Sequence, residues 1–214
     1  MGIYELSIKR PFTNLKRLLA GILWSILPIL NFFAMGYALR CAKLSMKNNF
    51  EMPAWDNKGE LFTKGILSFV IEIIYLLPFI ILISILFFSI IFSIDLIKAQ
   101  EDKNYILELV KPIIINNLFA FILIILLFIL TIYISPSAIM NFVNKDSFGK
   151  GFEFSTIFKK AFTKQYFITS LLMLVYGAVV YSIFMWVPLV GSAIAIFLIN
   201  VTSYSAYGAI YNKL

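Results

Sequence analysis

The chain has 214 residues, of which 61% are hydrophobic and only 14% are charged. Soluble domains have roughly 45–50% apolar and about 25% charged residues, and a soluble fold of this length has no core large enough for the excess. The formal net charge is +7 and histidine is absent, so the chain lacks the commonest metal ligand and acid–base group. The composition therefore predicts an all-α integral membrane protein without enzymatic activity.

The basic residues do not indicate a nucleic-acid partner. They lie in short segments that flank apolar runs, and both anionic headgroups and the basic character of cytoplasmic loops account for that placement. We expect membrane lipids as partners, together with a protein partner or a second copy of the chain. We expect neither a cofactor nor a cleaved signal peptide, since no short apolar run is followed by a small-residue cleavage site.

Five apolar stretches follow a basic, weakly amphipathic N-terminal segment, residues 1–17. They cover residues 18–39, 66–94, 113–143, 166–187 and 189–211. Each reaches the length of about 20 residues that a helix needs to cross a hydrocarbon core of about 30 Å. The sequence thus predicts one helical membrane domain over residues 1–214, a bundle of about five hydrophobic segments. Pro78 and Pro136 offer kinks within the second and third stretches.

The first stretch, residues 18–39, has two interpretations. Residues 1–17 hold four Lys and Arg and the 40–64 loop holds five, and a single span would separate these two basic segments across the membrane. Basic loops are biased to the cytoplasmic side. A re-entrant hairpin broken at Pro28 and Asn31 places both on that side, if its irregular backbone is buried in protein or lines a polar cavity. The other four stretches are predicted full spans.

The region of about 48–64 is predicted to be a loop at the membrane interface. Its distinctive residues are Pro53, Trp55, Asp56 and Glu60. The proline can open a helical turn, the tryptophan suits the interface, and the two acids share a face if the segment is helical. Two carboxylates could hold Mg²⁺ against a phosphate, but such sites usually have more than two oxygen ligands. We therefore favour a capped turn whose acids pair with Lys58 and Lys64, and no metal.

Four polar residues inside the apolar stretches are candidates for an intramembrane role. They are Asn31, Glu72, Tyr75 and Asn200. Glu72 is the only charge well within a span, a position that often marks an ion or proton path. On a helix Ser68 and Tyr75 would share its face as hydrogen-bonding partners, or its side chain would snorkel to the headgroups. Asn200 is more typical of a contact that holds helices together.

Charge also distinguishes the later loops. The 95–111 loop carries three basic and four acidic residues and is the external candidate, whereas the 145–164 loop carries five basic residues and is a cytoplasmic candidate. Only Val187-Pro188-Leu189-Val190-Gly191 separates the last two stretches, which predicts a tight helical hairpin. The expected location is the cytoplasmic membrane, crossed several times, with basic loops inside.

Residues 152–164 are predicted to form a basic amphipathic helix. Their apolar residues recur at helical spacing and are Phe154, Ile157, Phe158, Ala161 and Phe162. Lys159, Lys160 and Lys164 lie away from that face and are the expected contacts to lipid headgroups. Such a helix either lies in the headgroup plane or packs as a connector on the end of the bundle, and the two interpretations are compatible.

Several motifs resemble those of the domain of unknown function 4013 family, membrane proteins that are common in archaea. They are Gly36-Tyr37-Ala38-Leu39-Arg40, Met52-Pro53-Ala54-Trp55-Asp56, Glu60-Leu61-Phe62, Gly65, Tyr75-Leu76-Leu77-Pro78, Gly151-Phe152-Glu153-Phe154 and Tyr204-Ser205-Ala206-Tyr207-Gly208. Where members usually have a second acid or tryptophan after the Trp-Asp pair, this chain has Asn57 and Lys58, which further weakens a metal site. The resemblance implies a multi-span helical protein and no particular activity.

These observations favour a non-enzymatic membrane protein that organises or binds lipid or a partner protein at the cytoplasmic face. The alternative is a small transporter or channel component that uses the intramembrane polar residues, because broken helices and midplane polar groups are common in transporters. A lipid-modifying enzyme is the weakest of the three, since histidine and clustered acids are missing.

Overall fold

The structure, a computed structural model, describes residues 2–92 and 104–214. Within these ranges the chain forms nine α-helices and two short 3-10 helices and no strand, which confirms the all-α prediction. The helices are α1 (Ile3–Lys9), α2 (Leu15–Ile26), α3 (Asn31–Ser45), α4 (Lys58–Ile91), α5 (Tyr105–Asn116), α6 (Leu118–Lys145), α7 (Phe154–Ala161), α8 (Lys164–Phe184) and α9 (Val190–Tyr211). The 3-10 helices are Arg10–Thr13 and Phe148–Phe152.

Four helices are long and apolar enough to cross a membrane, namely α4, α6, α8 and α9. They correspond to the last four predicted stretches and make the chain a multi-pass membrane protein. Pro78 and Pro136 lie inside α4 and α6 without ending them. The predicted 48–64 loop is shorter than expected, because α4 already begins at Lys58.

Internal contacts divide the chain into two compact units, residues 73–132 and the remainder, called unit 1 below. The smaller unit contains the distal part of α4, α5 and the first part of α6. In it the ring centroids of Phe79 and Phe128 lie 4.8 Å apart, and the Thr131 hydroxyl donates to the carbonyl of Tyr75 at 3.3 Å. Residues 95–103 of the predicted external loop lie outside the described ranges.

In unit 1 the first apolar stretch forms a helical hairpin. Asn14 caps α2 by accepting a hydrogen bond from the Arg17 amide at 3.1 Å, and residues 27–30 join α2 to α3. Near the tip the Trp24 and Phe33 rings lie 4.6 Å apart. At the other end Arg10 donates to the Cys41 carbonyl at 2.7 Å, so the two helices run in opposite directions.

The hairpin brings the two basic segments to the same end of unit 1. At about 18 Å and 22 Å, α2 and α3 are each too short to cross the hydrocarbon core alone. Because α3 returns towards Arg10, residues 1–17 and the segment after α3 lie at the same end of unit 1, as the re-entrant interpretation requires. The break falls at the predicted position, between Ile26 and Asn31.

The last two helices, α8 and α9, form a second hairpin. Of the four long helices, α9 is the most buried. Thr163 caps α8 by accepting from the Tyr166 amide. The turn at 185–189 closes with Leu189 at φ 60° and a hydrogen bond from the Val190 amide to the Pro188 carbonyl. Helix α9 contacts α1, α2, α3 and α8, and a Cβ at Gly208 would collide with the Ala42 carbonyl. It is therefore the central helix of unit 1.

Candidate functional site

Three basic segments meet at one end of unit 1, which we call the basic end. Arg10, from the N-terminal segment, donates to Ser45 at the end of α3 and to the carbonyl of Glu51. Lys43 and Lys64 both pair with Asp146, which follows α6. Lys160 of α7 donates to the carbonyl of Tyr211 at the end of α9. Contacts between distant parts of the chain therefore hold these segments together.

Arg10 is the most unusual residue of the basic end, because its side chain is fully buried. Its Nη1 lies 2.7 Å from the Cys41 carbonyl, 2.6 Å from the Ser45 hydroxyl and 3.1 Å from the Ser205 hydroxyl. Its Nη2 donates to the Glu51 carbonyl at 2.7 Å. These acceptors, called the Arg10 socket below, connect the N-terminal segment to α3, to the following loop and to α9.

All four acceptors of the Arg10 socket are neutral, and its Nε has no partner among the described residues. Burial lowers the pKa of the guanidinium below its ordinary value, but arginine stays protonated at neutral pH. Cys41 and Ser45 belong to the last turn of α3, where the helix dipole favours a positive charge. Backbone carbonyls and that dipole therefore compensate for a buried cation that lacks a carboxylate partner.

The segment between α3 and α4, residues 46–57, packs back onto the hairpin and is called the Trp55 loop. The indole of Trp55 stacks on the Tyr37 ring, with centroids 4.0 Å apart and planes at 12°. Its Nε1 donates to the Arg17 carbonyl at 3.1 Å, and the Tyr37 hydroxyl donates to the Pro53 carbonyl at 2.7 Å. Met52 is buried. The predicted interface anchor is thus a half-buried packing residue.

The acids of this region pair with Lys64 as predicted but not with Lys58. Arg40 forms ion pairs with both Asp56 and Glu60, and Glu60 also binds Lys64 at 2.7 Å. The expected partner Lys58 instead lies 5.5 Å above the Trp24 ring. The prediction was wrong about Lys58 because α3 returns Arg40 to the start of α4, a contact that sequence spacing does not reveal.

Two glycines of the motifs allow α3 and α4 to approach closely. A Cβ at Gly36 would collide with the Leu61 carbonyl, and one at Gly65 with the Phe32 carbonyl. The rings of Phe33 and Phe62 lie 4.8 Å apart between the same helices. The motifs that contain Gly36, Trp55, Phe62 and Gly65 are separated along the chain. In the structure they form one junction between α3, the Trp55 loop and α4.

Asp146 links that junction to the end of α6. It has φ 51°, a backbone conformation that aspartate tolerates better than most residues. Partial burial raises the pKa of its carboxyl, but hydrogen bonds from Lys43 and Lys64 outweigh this and hold the pKa below its ordinary value. The carboxylate is therefore committed to these two lysines.

Helix α7 has two apolar faces instead of the single predicted face. Ile157 and Ala161 are fully buried in unit 1, whereas Phe154, Phe158 and Phe162 are 55%, 38% and 64% exposed. Successive centroids of these three rings lie 6.4 Å and 5.9 Å apart, and we call them the phenylalanine ridge. The helix is thus a packed connector that also presents an aromatic surface.

Of the three lysines predicted to contact headgroups, one packs against unit 1 and two are exposed. Lys160 lies 3.8 Å from the centroid of the Tyr211 ring and is directed into unit 1. Lys159 and Lys164 are exposed and form no ion pair within the described residues. Only these two are placed to meet an external anion.

Inside unit 1, Glu72 accepts a hydrogen bond from the Tyr204 hydroxyl at 3.1 Å. The expected partner Ser68 donates instead to the Gly65 carbonyl, and Tyr75 belongs to the smaller unit. Glu72 lies eight residues, about 12 Å, beyond Lys64 along α4. The residue is half-buried, and its carboxylate is directed at the central helix α9.

Neither of the two predicted asparagines hydrogen-bonds to Glu72 within the described residues. Asn31 opens α3 at the hairpin tip, and its Oδ1 is buried without a partner in the described chain. Asn200 is half-buried on α9. The polar contacts of α9 come from other residues, such as Thr202, whose hydroxyl donates to Tyr176, and Tyr207, whose hydroxyl donates to Ser170.

A family model described as "Protein of unknown function (DUF4013)" matches residues 19–190. The match covers the hairpin, the Trp55 loop, α4 to α8 and the turn before α9. No curated protein and no solved structure matches the chain. The likeness is therefore to a family whose description carries no activity.

Proposed function

This chain belongs to the DUF4013 family, and we propose that it is a non-enzymatic integral membrane protein that binds and organises lipid at its cytoplasmic face. The observation that carries the proposal is the basic end, where the basic segments form one assembly with exposed lysines and an aromatic surface. Four of its carboxylates, those of Asp56, Glu60, Asp146 and Glu153, are each paired with Lys or Arg. Groups already neutralised in this way are poorly suited to acid–base work.

In the proposed orientation the basic end faces the cytoplasm, because Lys and Arg in short loops are retained on that side. The native Cys41 does not report on this, since it is fully buried and burial raises the pKa of its thiol to about 11. Cysteines at exposed Lys47 and Trp186, after α3 and in the α8–α9 turn, serve instead. An impermeant maleimide should label intact cells at position 186 only, and the reverse pattern would overturn the orientation.

The lipid proposal is tested by what the purified protein retains. The chain is extracted in mild detergent, incubated with equal parts of phosphatidylglycerol and phosphatidylcholine, and analysed by native mass spectrometry. We expect the anionic lipid to be enriched among bound molecules, because each Lys or Arg at an anionic surface contributes about 1 kcal/mol. Equal retention of the two lipids, or a stoichiometric protein partner in place of lipid, would contradict the proposal.

The second candidate, a small transporter or channel component, is favoured by one observation, the contact of Glu72 with Tyr204 inside unit 1. An intramembrane carboxylate often lies on a proton or ion path. The proposal of lipid binding predicts that Glu72 and Tyr204 only hold α4 against α9.

The variant Glu72→Gln distinguishes the two functions. It keeps the shape and a hydrogen-bond acceptor for Tyr204 but removes the titratable group. In proteoliposomes under an imposed pH gradient we expect no proton or solute flux from either protein. Flux through the wild type that Glu72→Gln abolishes would support the transporter and reject the leading proposal.

A further inference from the structure

The phenylalanine ridge is an apolar surface that remains largely exposed on unit 1. Its rings are between 38% and 64% exposed, while Ile157 and Ala161 on the adjacent face are fully buried. Helix α7 is thus packed against unit 1 through one face, and its three exposed rings are placed for a contact with something else. The ridge is therefore a surface of defined position and not a mobile hydrophobic segment.

The spans next to the ridge indicate what covers it. Helix α8 begins at Lys164, two residues after Phe162, and its first turns expose Phe167, Ile168 and Leu171 by 57%, 40% and 54%. These residues belong to a helix long enough to cross the membrane, so their exposed faces contact acyl chains. Phe162 of the ridge and Phe167 of α8 both lie beside the Tyr133 ring, with centroids 6.1 Å and 6.5 Å from it. The ridge therefore adjoins this lipid-facing surface at the end of the span, where headgroups begin.

Charge beside the ridge selects among lipids. Lys159 and Lys164 flank the rings and are exposed, whereas Lys150 is paired with Glu153 and Lys160 is directed at Tyr211. Basic residues beside an aromatic face characterise helices that lie between headgroups and acyl chains. Two lysines that pair with no acid in the described part of the chain favour phosphate-bearing, anionic headgroups over zwitterionic ones.

We propose that α7 is an anionic-phospholipid site in which Phe154, Phe158 and Phe162 insert between acyl chains and Lys159 and Lys164 bind the headgroup phosphates. This rests on the proposed function and assigns it to one helix. The Trp55 loop takes no part in the insertion, since its indole is stacked on Tyr37 and bonded to Arg17. Lys58 is also excluded, because it lies over the Trp24 ring.

The test places a nitrobenzoxadiazole fluorophore on the full chain at Ser155→Cys, an exposed position beside the ridge. The buried Cys41 stays unlabelled. The protein is reconstituted in nanodiscs of phosphatidylcholine, with or without an equal part of phosphatidylglycerol, that contain a lipid spin-labelled near the headgroup. Strong quenching that deepens with phosphatidylglycerol is expected, and the same label at Lys47→Cys, on the turn after α3, should be quenched weakly in both.

Two sets of variants separate insertion from headgroup binding. Lys159→Gln with Lys164→Gln should reduce the preference for phosphatidylglycerol about 30-fold, since each lysine contributes about 1 kcal/mol, whereas Lys47→Gln should leave it unchanged. Phe154→Ser with Phe162→Ser should abolish quenching in both lipids. Both phenylalanines are more than half exposed, and retention of the folded elution volume verifies that the variants remain intact.

Two outcomes would overturn the inference. Quenching that is insensitive to the lysine changes would place α7 at the interface without phosphate recognition. Absence of quenching in the wild type would mean that protein, not lipid, covers the ridge. If the wild type still enriches phosphatidylglycerol in the mass-spectrometric experiment, only the assignment to α7 fails, and the proposed function stands on another surface of the basic end.

Discussion

The Trp55 loop and helix α7 have similar compositions, but the aromatic side chain of the loop packs into unit 1 and those of α7 are exposed. Both are short, lie at the basic end and combine aromatic side chains with lysine or arginine. In the loop, Trp55 stacks on Tyr37 and Asp56 binds Arg40. In α7, the phenylalanine ridge is exposed, and Lys159 and Lys164 lie beside it.

The difference depends on what each segment faces. The Trp55 loop returns against a hairpin that offers the Tyr37 ring, the Arg17 carbonyl and the Arg40 cation. Helix α7 instead follows the end of α6 and buries only the small surface of Ile157 and Ala161. Residues that suit the membrane interface are thus equally able to hold a tertiary junction together, and the surrounding helices decide between the two uses.

The largest expected effect is at the Arg10 socket, the most inward part of the basic end. Arg10→Ala should lower the free energy of unfolding by about 3–4 kcal/mol, because hydrogen bonds to a charged group contribute about 1.5–3 kcal/mol and a cavity remains. Denaturant titration in micelles, followed by tryptophan fluorescence, measures the loss. The exposed Lys16→Ala is the matched control and should change stability by less than about 0.5 kcal/mol. A loss below about 1 kcal/mol for Arg10→Ala would mean that the socket does not hold the N-terminal segment.

A direct comparison of the two aromatic surfaces gives the next effect. Trp55→Ala should cost about 2–3 kcal/mol, somewhat less than a fully buried tryptophan, because it removes the Tyr37 stack and the bond to Arg17. Phe162→Ala, at 64% exposure, should cost less than about 0.5 kcal/mol in the same micelles. Thermal unfolding of both variants is the measurement. Equal losses would contradict the distinction between an inward and an outward segment.

The smallest effect concerns the ion pairs of Asp146. Asp146→Asn keeps a residue that tolerates φ 51° and should cost less than about 1 kcal/mol at pH 7, as expected for partly exposed pairs. Its pairs hold the pKa of Asp146 below the ordinary value, so their stabilisation is present above the unfolded pKa of about 3.9 and is lost as pH falls through the folded value. The stability difference between wild type and variant should therefore shrink below about pH 4. A difference that stays constant from pH 7 to pH 3 would assign it to something other than charge.

Much of the candidate site follows from local pattern. The 3.6-residue spacing of Phe154, Phe158 and Phe162 predicts that they share a helix face. The break near Pro28 made a hairpin one of the two interpretations of residues 18–39. The pairing of Arg40 with Asp56 and Glu60 escaped prediction, because the partners meet only after α3 reverses direction. The hydrogen bond between Tyr204 and Glu72 could not be predicted for the same reason, since 132 residues separate the two.

Arg10 shows most clearly what local sequence pattern does not reveal. In the sequence it is one of four basic residues in an N-terminal segment and resembles its neighbours Lys9, Lys16 and Arg17. Its socket is assembled from α3, the Trp55 loop and α9, with Ser205 lying 195 residues away. Neither composition nor periodicity distinguishes a buried arginine whose acceptors are neutral from a solvated one.

The sequence by itself determined that the chain is helical, which segments are apolar enough for lipid and where its charges concentrate, because hydropathy and helical period are properties of consecutive residues. The tertiary structure alone decided which aromatic and basic side chains turn inward and which remain on the surface. That choice depends on the carbonyls, rings and opposite charges that distant helices bring within bonding distance.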